Sequence, residues 1–509
     1  MSKNLLLKGL MVLNFAGGLF AAEPWPILTP KAGPMPRING PKVYGARPGR
    51  PFLYRIPCTG VRPIKFTVKG LPKRLAVDPS TGIIRGTTPV QRGSYRLAIE
   101  ASNRHGRSRR ELRLEVGDTL SLTPQMGWNS WYTHYARVTD KVMRDAADAM
   151  IESGMADYGY QFVSIDDCWA RKADATEPRH RGEPRDAQGN ILSNDDFPDM
   201  PALASYIHAK GLKAGIYTSP GPLTCGGYTG SWQHEEQDAR TFAAWGFDLL
   251  KYDLCSYRKT PGVNTRDDDM APYRKMGRIL QAQPRDIVLN LCQYGRANVW
   301  EWGTEVGGQS WRTTGDLGLE KETALPGFYS IAFANAEHQE FARPGGWNDP
   351  DYILIGYVGD AHTWRNGPVA QRAKLTANEQ YSYMSLWSLM ASPLFFGGDM
   401  RRLDDFTLNV LCNAEVIDIN QDPRGKQARV VRKTAGELIL AKPLEGGSLA
   451  VGLFNLTREP RTIESNLTDL GAHGKAKVRD IWRQKPDGDA IGTLRRVVEP
   501  HGVALIRLD

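Results

Sequence analysis

Cysteine and histidine are scarce in this chain, and no long apolar run occurs beyond its first two dozen residues. Six cysteines in 509 residues, at positions 58, 168, 225, 255, 292 and 412, are too few to hold a disulfide-framework fold. They contain no CxxC pair and there is no metal-type histidine cluster, so neither a zinc site nor any other metal is expected. No Gly-rich phosphate turn follows a strand pattern, which argues against a dinucleotide-binding doubly wound sheet and implies no cofactor. With no later stretch long enough to cross a bilayer, no membrane span is expected.

Acidic residues are missing from one region only. Between Arg37 and Val116 there are 18 Lys and Arg against 4 Asp and Glu, whereas the remainder carries 47 against 52. The formal net charge of +9 therefore belongs to one small region. No aromatic-rich RNA motif accompanies it, so nucleic acid is not the indicated partner. The basic surface suits contact with anionic glycan or a cell envelope, or simple solvation.

What is present divides the chain into five parts. Lys3 and Lys8 precede an apolar run from Leu10 to Phe15 and small residues to Ala21-Ala22, the pattern of a signal peptide over residues 1–22 and of a secreted or periplasmic protein. Residues 23–37, rich in Pro and Gly, read as a linker. Short alternating runs with turn signals over 38–118 predict a small Ig-like β-sandwich. From 119 to 425 strands alternate with amphipathic helices, among them one capped at Thr139 and one closed by Gly246. Eight such units over roughly 300 residues predict a (β/α)8 TIM barrel in the α/β class. Alternating runs return over 426–509 and predict a C-terminal antiparallel β-sandwich.

The organising stretch is Phe247 to Cys255, a short apolar strand that finishes on Lys251 and Asp253. A barrel keeps its chemistry at the C-terminal ends of its strands. Placed there, the predicted strands bring together Trp131, Asp166, Asp167, Tyr217, Lys251, Asp253, Gln293, Arg312, Asp316, Asp349 and Asp351. Carboxylates, two cations and aromatic rings suit a sugar: carboxylates accept from hydroxyls, cations donate, and ring faces cover C–H surfaces. Cleaving a glycosidic bond needs a pair of carboxylates, and Asp253 and Asp316 can supply it.

Six ordered motifs make the reading specific: TPQMGWNSW at 123–131, SIDDCW at 164–169, GLKAGIY at 211–217, KYDLC at 251–255, WRTTGD at 311–316 and GGWNDPD at 345–351. Together they resemble the glycoside hydrolase family 27 α-galactosidases, or melibiases, from about 120 to 425. The C-terminal sandwich also fits that family, while Leu71 to Thr87 resembles the Ig-like modules found beside secreted bacterial hydrolases. The resemblance implies a retaining exo-glycosidase acting on terminal α-D-galactosyl residues, with Asp253 as nucleophile and Asp316 as general acid/base. It implies Asp166 and Asp167 on the O4 and O6 hydroxyls, Lys251 on the O3/O4 edge and Arg312 on the O2 side. Trp131 and Tyr217 would wall the pocket, with Gln293 and Asp351 beside it, and Cys225 would pair with Cys255.

Three departures from the family pattern stand out. Cys292-Gln293-Tyr294-Gly295-Arg296 replaces a common Cys-Glu-Trp segment, Leu254 follows the nucleophile in place of a small or polar residue, and Tyr352 stands where Met is common. No cysteine between Tyr132 and Arg137 can partner Cys168, which is expected to be free. The altered O2 wall leaves α-N-acetylgalactosaminidase or β-L-arabinopyranosidase activity as alternatives, with a catalytically silent carbohydrate-binding protein as the contrasting case. Lys251, beside Asp253, is expected to keep the nucleophile ionised.

Overall fold

The computed structural model describes residues 25–260, 262, 265–318, 324–360 and 370–509. The signal-peptide reading of residues 1–22 lies outside them. Eight parallel strands form the centre: Met126–Asn129, Phe162–Ser164, Lys213–Thr218, Leu249–Asp253, Val288–Cys292, Ser310–Arg312, Trp347–Asp349 and Leu394–Phe396. The first seven are each hydrogen-bonded to the next in sequence, and the eighth pairs with the first. Between the seventh and eighth, Ile353 bridges to Phe396 and its N–H donates to the carbonyl of Phe395 at 2.7 Å, closing the barrel.

Local signals and tertiary burial agree along this path. Thr139 Oγ accepts from the N–H of Val142 at 3.2 Å and starts the helix Asp140–Glu152. Gly246, at φ 97°, ends the helix Glu235–Trp245 and turns the chain into the fourth strand. All five residues of that strand are buried. Because side chains alternate along a strand, Leu249, Lys251 and Asp253 share its inner face. The sixth strand ends at Arg312, within the 311–316 motif. Arg312 donates to the carbonyls of Thr314 and Gly315, at 3.3 and 2.7 Å, and this curls the segment after the strand back toward Arg312.

The N-terminal module holds a four-stranded and a three-stranded sheet around Ile56, Phe66, Ile84, Leu97, Leu112 and Leu114. Several of its basic residues dock it to the barrel. Arg47, 8% exposed, donates from Nε to Asp286 at 2.6 Å and from Nη1 and Nη2 to the carbonyls of Gln281 and Arg285. Arg62 reaches Asp157, Arg37 reaches Asp418, and Arg85 caps the carbonyls of His208 and Ala209 at the end of a barrel helix. The segment read as a linker is pinned as well: Trp25 packs edge-on against Phe406, and Asn409 bonds both the N–H and the C=O of Thr29.

Eight antiparallel strands between Arg429 and Leu508 form the C-terminal domain around Ile439, Val451, Leu453, Ile463 and Ile506. Its Trp482 donates to Ser385 Oγ, 2.9 Å away on the barrel helix Ala377–Leu389. Among the described residues no helix is long and apolar enough to cross a membrane. Replacing Arg47 by Ala would leave Asp286 charged and half-buried without its partner. Chemical denaturation of Arg47→Ala is expected to show a loss of about 3 kcal/mol, with faster protease cleavage between module and barrel.

Candidate active site

The site occupies the C-terminal mouth of the barrel, where strands two, three, four and six each deliver a polar group. One cavity is lined by Trp131, Tyr132, Asp166, Tyr217, Cys225, Lys251, Asp253, Tyr294, Arg312, Asp316 and Asp351. Eight of the residues read from the sequence stand on that wall. Asp167, Gln293 and Asp349 are not part of it; Asp349 accepts from Asn290 Nδ2 and from the Asp351 N–H, each at 2.9 Å. Asp167 accepts from the N–H groups of Cys168 and Gly226, at 2.7 and 2.6 Å, and Gln293 donates to the carbonyl of Arg312 at 3.2 Å.

Two buried cations organise the carboxylates. Lys251 Nζ is 2.8 Å from Asp166 Oδ2, and the same oxygen accepts from Asn129 Nδ2 at 2.9 Å. Burial opposes the Lys251 charge, but Asp166 together with the other acidic groups around it, Asp253 among them, outweighs burial and holds the ammonium protonated well above the ordinary lysine range. The rings of Tyr217 and Tyr352 lie 5.3 and 5.2 Å from the ammonium and cover it further. Arg312 lies 3.1 Å from Asp316 and 3.2 Å from Asp351, so one guanidinium joins two carboxylates across the pocket.

Asp351 is held in place on every side. Its Oδ2 accepts from Tyr132 Oη at 2.7 Å and from the N–H of Leu317 at 2.9 Å, and its carbonyl accepts from Trp387 Nε1 at 2.7 Å. Its φ of 89° is a strained conformation that these bonds enforce. Burial pushes its carboxyl up to about 6 against the opposing pull of Arg312. Burial likewise pushes Asp167 up to about 6, although the Gly226 N–H opposes it.

Asp253 is 5% exposed, and its environment differs from the expectation that Lys251 would dominate it. Burial raises its carboxyl above the ordinary range, and Asp316 adds to the rise, against the lowering by Lys251 and by Tyr294. The physical reason is that the Lys251 ammonium bonds Asp166, so Asp253 feels it only through space. Asp316 is the more accessible carboxylate, with 34% of its side chain exposed.

Cys225 and Cys255 form a disulfide, while Cys168 and the other three cysteines are free and buried. The bond ties the 219–231 loop to the end of the fourth strand. It also sets the Gly226 N–H against Asp167. Cys225, Asp253 and Cys255 are the one metal-type cluster among the described residues, and the disulfide removes its two thiolates.

Sequence reading missed Tyr132, Tyr294 and Tyr352 as site residues. Tyr294 and Tyr352 fall at departures from the family pattern, and their hydroxyls reach Asp253 and Asp166, at 2.6 and 3.4 Å. Tyr132 follows Trp131 directly and carried no separate signal. In chemical terms the site offers acceptors and donors for a hydroxyl-rich ligand, with two carboxylates, Asp253 and Asp316, on a shared wall.

Comparison with known proteins extends the motif resemblance to most of the chain. Residues 123–422 match the family described as "Alpha galactosidase A", residues 438–508 its "C-terminal beta sandwich domain", and residues 36–117 the "Putative Ig domain" family. The Alpha-galactosidase of Oryza sativa subsp. japonica is 37% identical over 410 residues, covering 80% of this chain and 89% of that protein. Alpha-galactosidase A of Cellvibrio japonicus is 36% identical over 412 residues, covering 77% and 93%. The crystal structure of alpha-galactosidase I from Mortierella vinacea superposes with a TM-score of 0.68 at 29% identity, over 77% of this chain and 98% of that one. A Bacteroides fragilis structure described as a "putative alpha-galactosidase/melibiase" reaches a TM-score of 0.84 at 36% identity, over 95% and 99%. With its barrel, its C-terminal sandwich and its site motifs all matched, the chain belongs to the alpha-galactosidase family of glycoside hydrolases.

Proposed function

We propose that the protein hydrolyses terminal, non-reducing α-D-galactosyl residues by double displacement, with Asp253 as nucleophile and Asp316 as general acid/base. The observation that carries this is the single cavity wall holding both carboxylates together with Asp166, Lys251 and Arg312. Asp253 is buried and hydrogen-bonded on both oxygens, as an attacking group must be to keep one orientation. Asp316 is the more accessible partner, which suits a group that protonates a leaving alcohol and activates incoming water. The Asp166–Lys251 pair presents an acceptor and a donor to adjacent hydroxyls, and Arg312 serves the side of the sugar nearer Asp316. Relatives that carry the alpha-galactosidase name cover most of the chain, which favours galactose over the N-acetylgalactosaminide and arabinopyranoside readings.

The disulfide at the pocket rim and the N-terminal leader pattern support an exported protein, because thiols stay reduced in the cytosol. The module's contact with anionic glycan would use its outer face, where Lys65, Lys69, Arg96 and Arg107 are exposed. The arginines spent on docking are not available for it.

The 4-nitrophenyl α-galactoside is expected to be cleaved in preference to the N-acetylgalactosaminide and the β-L-arabinopyranoside, with NMR showing the α-anomer released first. Asp253→Asn should lower kcat by about 10³-fold or more with an unchanged unfolding midpoint. Because burial raises the Asp253 carboxyl and the attacking form is ionised, kcat/KM should fall with acidification at a pH above the free Asp value of about 3.9. A pH–rate profile still flat at that value would contradict the assignment. Reduction of Cys225–Cys255 should lower kcat/KM while the far-ultraviolet circular dichroism stays constant, since it frees a loop and no core element.

A further inference from the structure

Hydrogen bonds are shared unequally between the two oxygens of Asp253. Oδ1 accepts from the Tyr294 hydroxyl at 2.6 Å and from the backbone N–H of Leu254 at 2.7 Å. Among the described residues, Oδ2 accepts from the Tyr217 hydroxyl, at 3.0 Å. A carboxylate oxygen offers two in-plane lone pairs. Both pairs of Oδ1 are engaged, and one pair of Oδ2 accepts no bond from the described residues.

Tyr294 is held in this position by backbone that few residues adopt. Its own φ is 64°, and Gly295, Ala297 and Asn298 follow at 80°, 53° and 52°. A Cβ on Gly295 would lie 2.3 Å from the carbonyl oxygen of Thr313, so only glycine fits there. The Gly295 N–H donates to the Arg312 carbonyl at 3.0 Å, and Gln293 Nε2 donates to the same oxygen. A left-handed non-glycine residue is strained and persists only where its surroundings impose it. These bonds stitch the Tyr294 loop to the end of the sixth strand, close to Asp316.

We propose that Tyr294 is a positioning residue that occupies Oδ1 and thereby makes Oδ2 the attacking oxygen of Asp253. This rests on Asp253 being the nucleophile. In the first step an Oδ2 electron pair forms the bond to the anomeric carbon as the bond to the leaving oxygen breaks. The Asp316 proton passes to that oxygen, and Oδ1 becomes the carbonyl oxygen of the ester. In the second step water attacks the anomeric carbon and gives a proton to Asp316. The C–Oδ2 pair returns to the carboxylate, whose restored charge meets the Tyr294 and Leu254 donors at Oδ1. Tyr294 therefore favours the ionised carboxylate on entry to the intermediate and on exit from it.

Steady-state kinetics of Tyr294→Phe with the 4-nitrophenyl α-galactoside test this. The expected result is a kcat/KM lower by roughly 10- to 100-fold and an acid limb displaced to higher pH, because the ionised nucleophile has lost a donor. Incorporating 3-fluorotyrosine at position 294 keeps the shape and makes the hydroxyl a stronger donor, so its acid limb should move to lower pH. An acid limb coincident with wild type in both variants, with kcat/KM within twofold, would overturn the proposal. The underlying assignment is read separately from Asp253→Gly with sodium azide. Formation of a β-galactosyl azide establishes Asp253 as nucleophile whatever Tyr294 does, and its absence shows that the assignment of Asp253 is at fault.

Discussion

Lys251 and Arg312 make the floor of this barrel possible. Four aspartates, Asp166, Asp167, Asp253 and Asp351, lie there at 5% exposure or less, a concentration of charge that burial alone would neutralise by protonation. Lys251 takes Asp166, and Arg312 spans Asp351 and Asp316. Removing either cation would leave buried carboxylates uncompensated, which costs more than the pair contributes when intact. The site is therefore balanced by two side chains, each fixed on a strand.

That balance is uneven, and the unevenness is useful. Lys251 is bonded to Asp166 and still favours the ionised Asp253 through space, while the hydrogen bonds that Asp253 itself accepts come from neutral donors: two tyrosine hydroxyls and one backbone N–H. Neutral donors orient a carboxylate without forming an ion pair that would have to be broken when it attacks. Asp167 is treated in the same way, with the N–H groups of Cys168 and Gly226 in place of a cation. The disulfide and the left-handed run around Tyr294 place these donors, so both covalent and conformational constraints sit next to the reacting groups.

The flanking domains bear on the barrel from elsewhere. Arg47, Arg62 and Arg85 dock the N-terminal module on the face opposite the pocket or on barrel helices, and Trp482 anchors the C-terminal domain on the helix Ala377–Leu389. A share of the local positive charge is thus spent within the molecule, on Asp286, Asp157 and backbone carbonyls of the barrel. What is left on the module's outer sheet is a smaller and more dispersed charge than the sequence count suggested.

The barrel, its strand ends and the carboxylate set were legible in the sequence because they depend on local patterns: apolar runs of strand length, Gly246 after a helix, and acidic residues where strands stop. The alternation of a strand puts Lys251 and Asp253 on one face. Partnership was not legible. That Lys251 bonds Asp166 and leaves Asp253 to Tyr217 and Tyr294, and that Gln293 turns behind the wall, are decided by distances between strands far apart in sequence. The sequence by itself determined which groups reach the mouth of the barrel. The tertiary structure alone decided which of them touch, because a hydrogen bond is settled within a few tenths of an ångström and no local pattern carries that information.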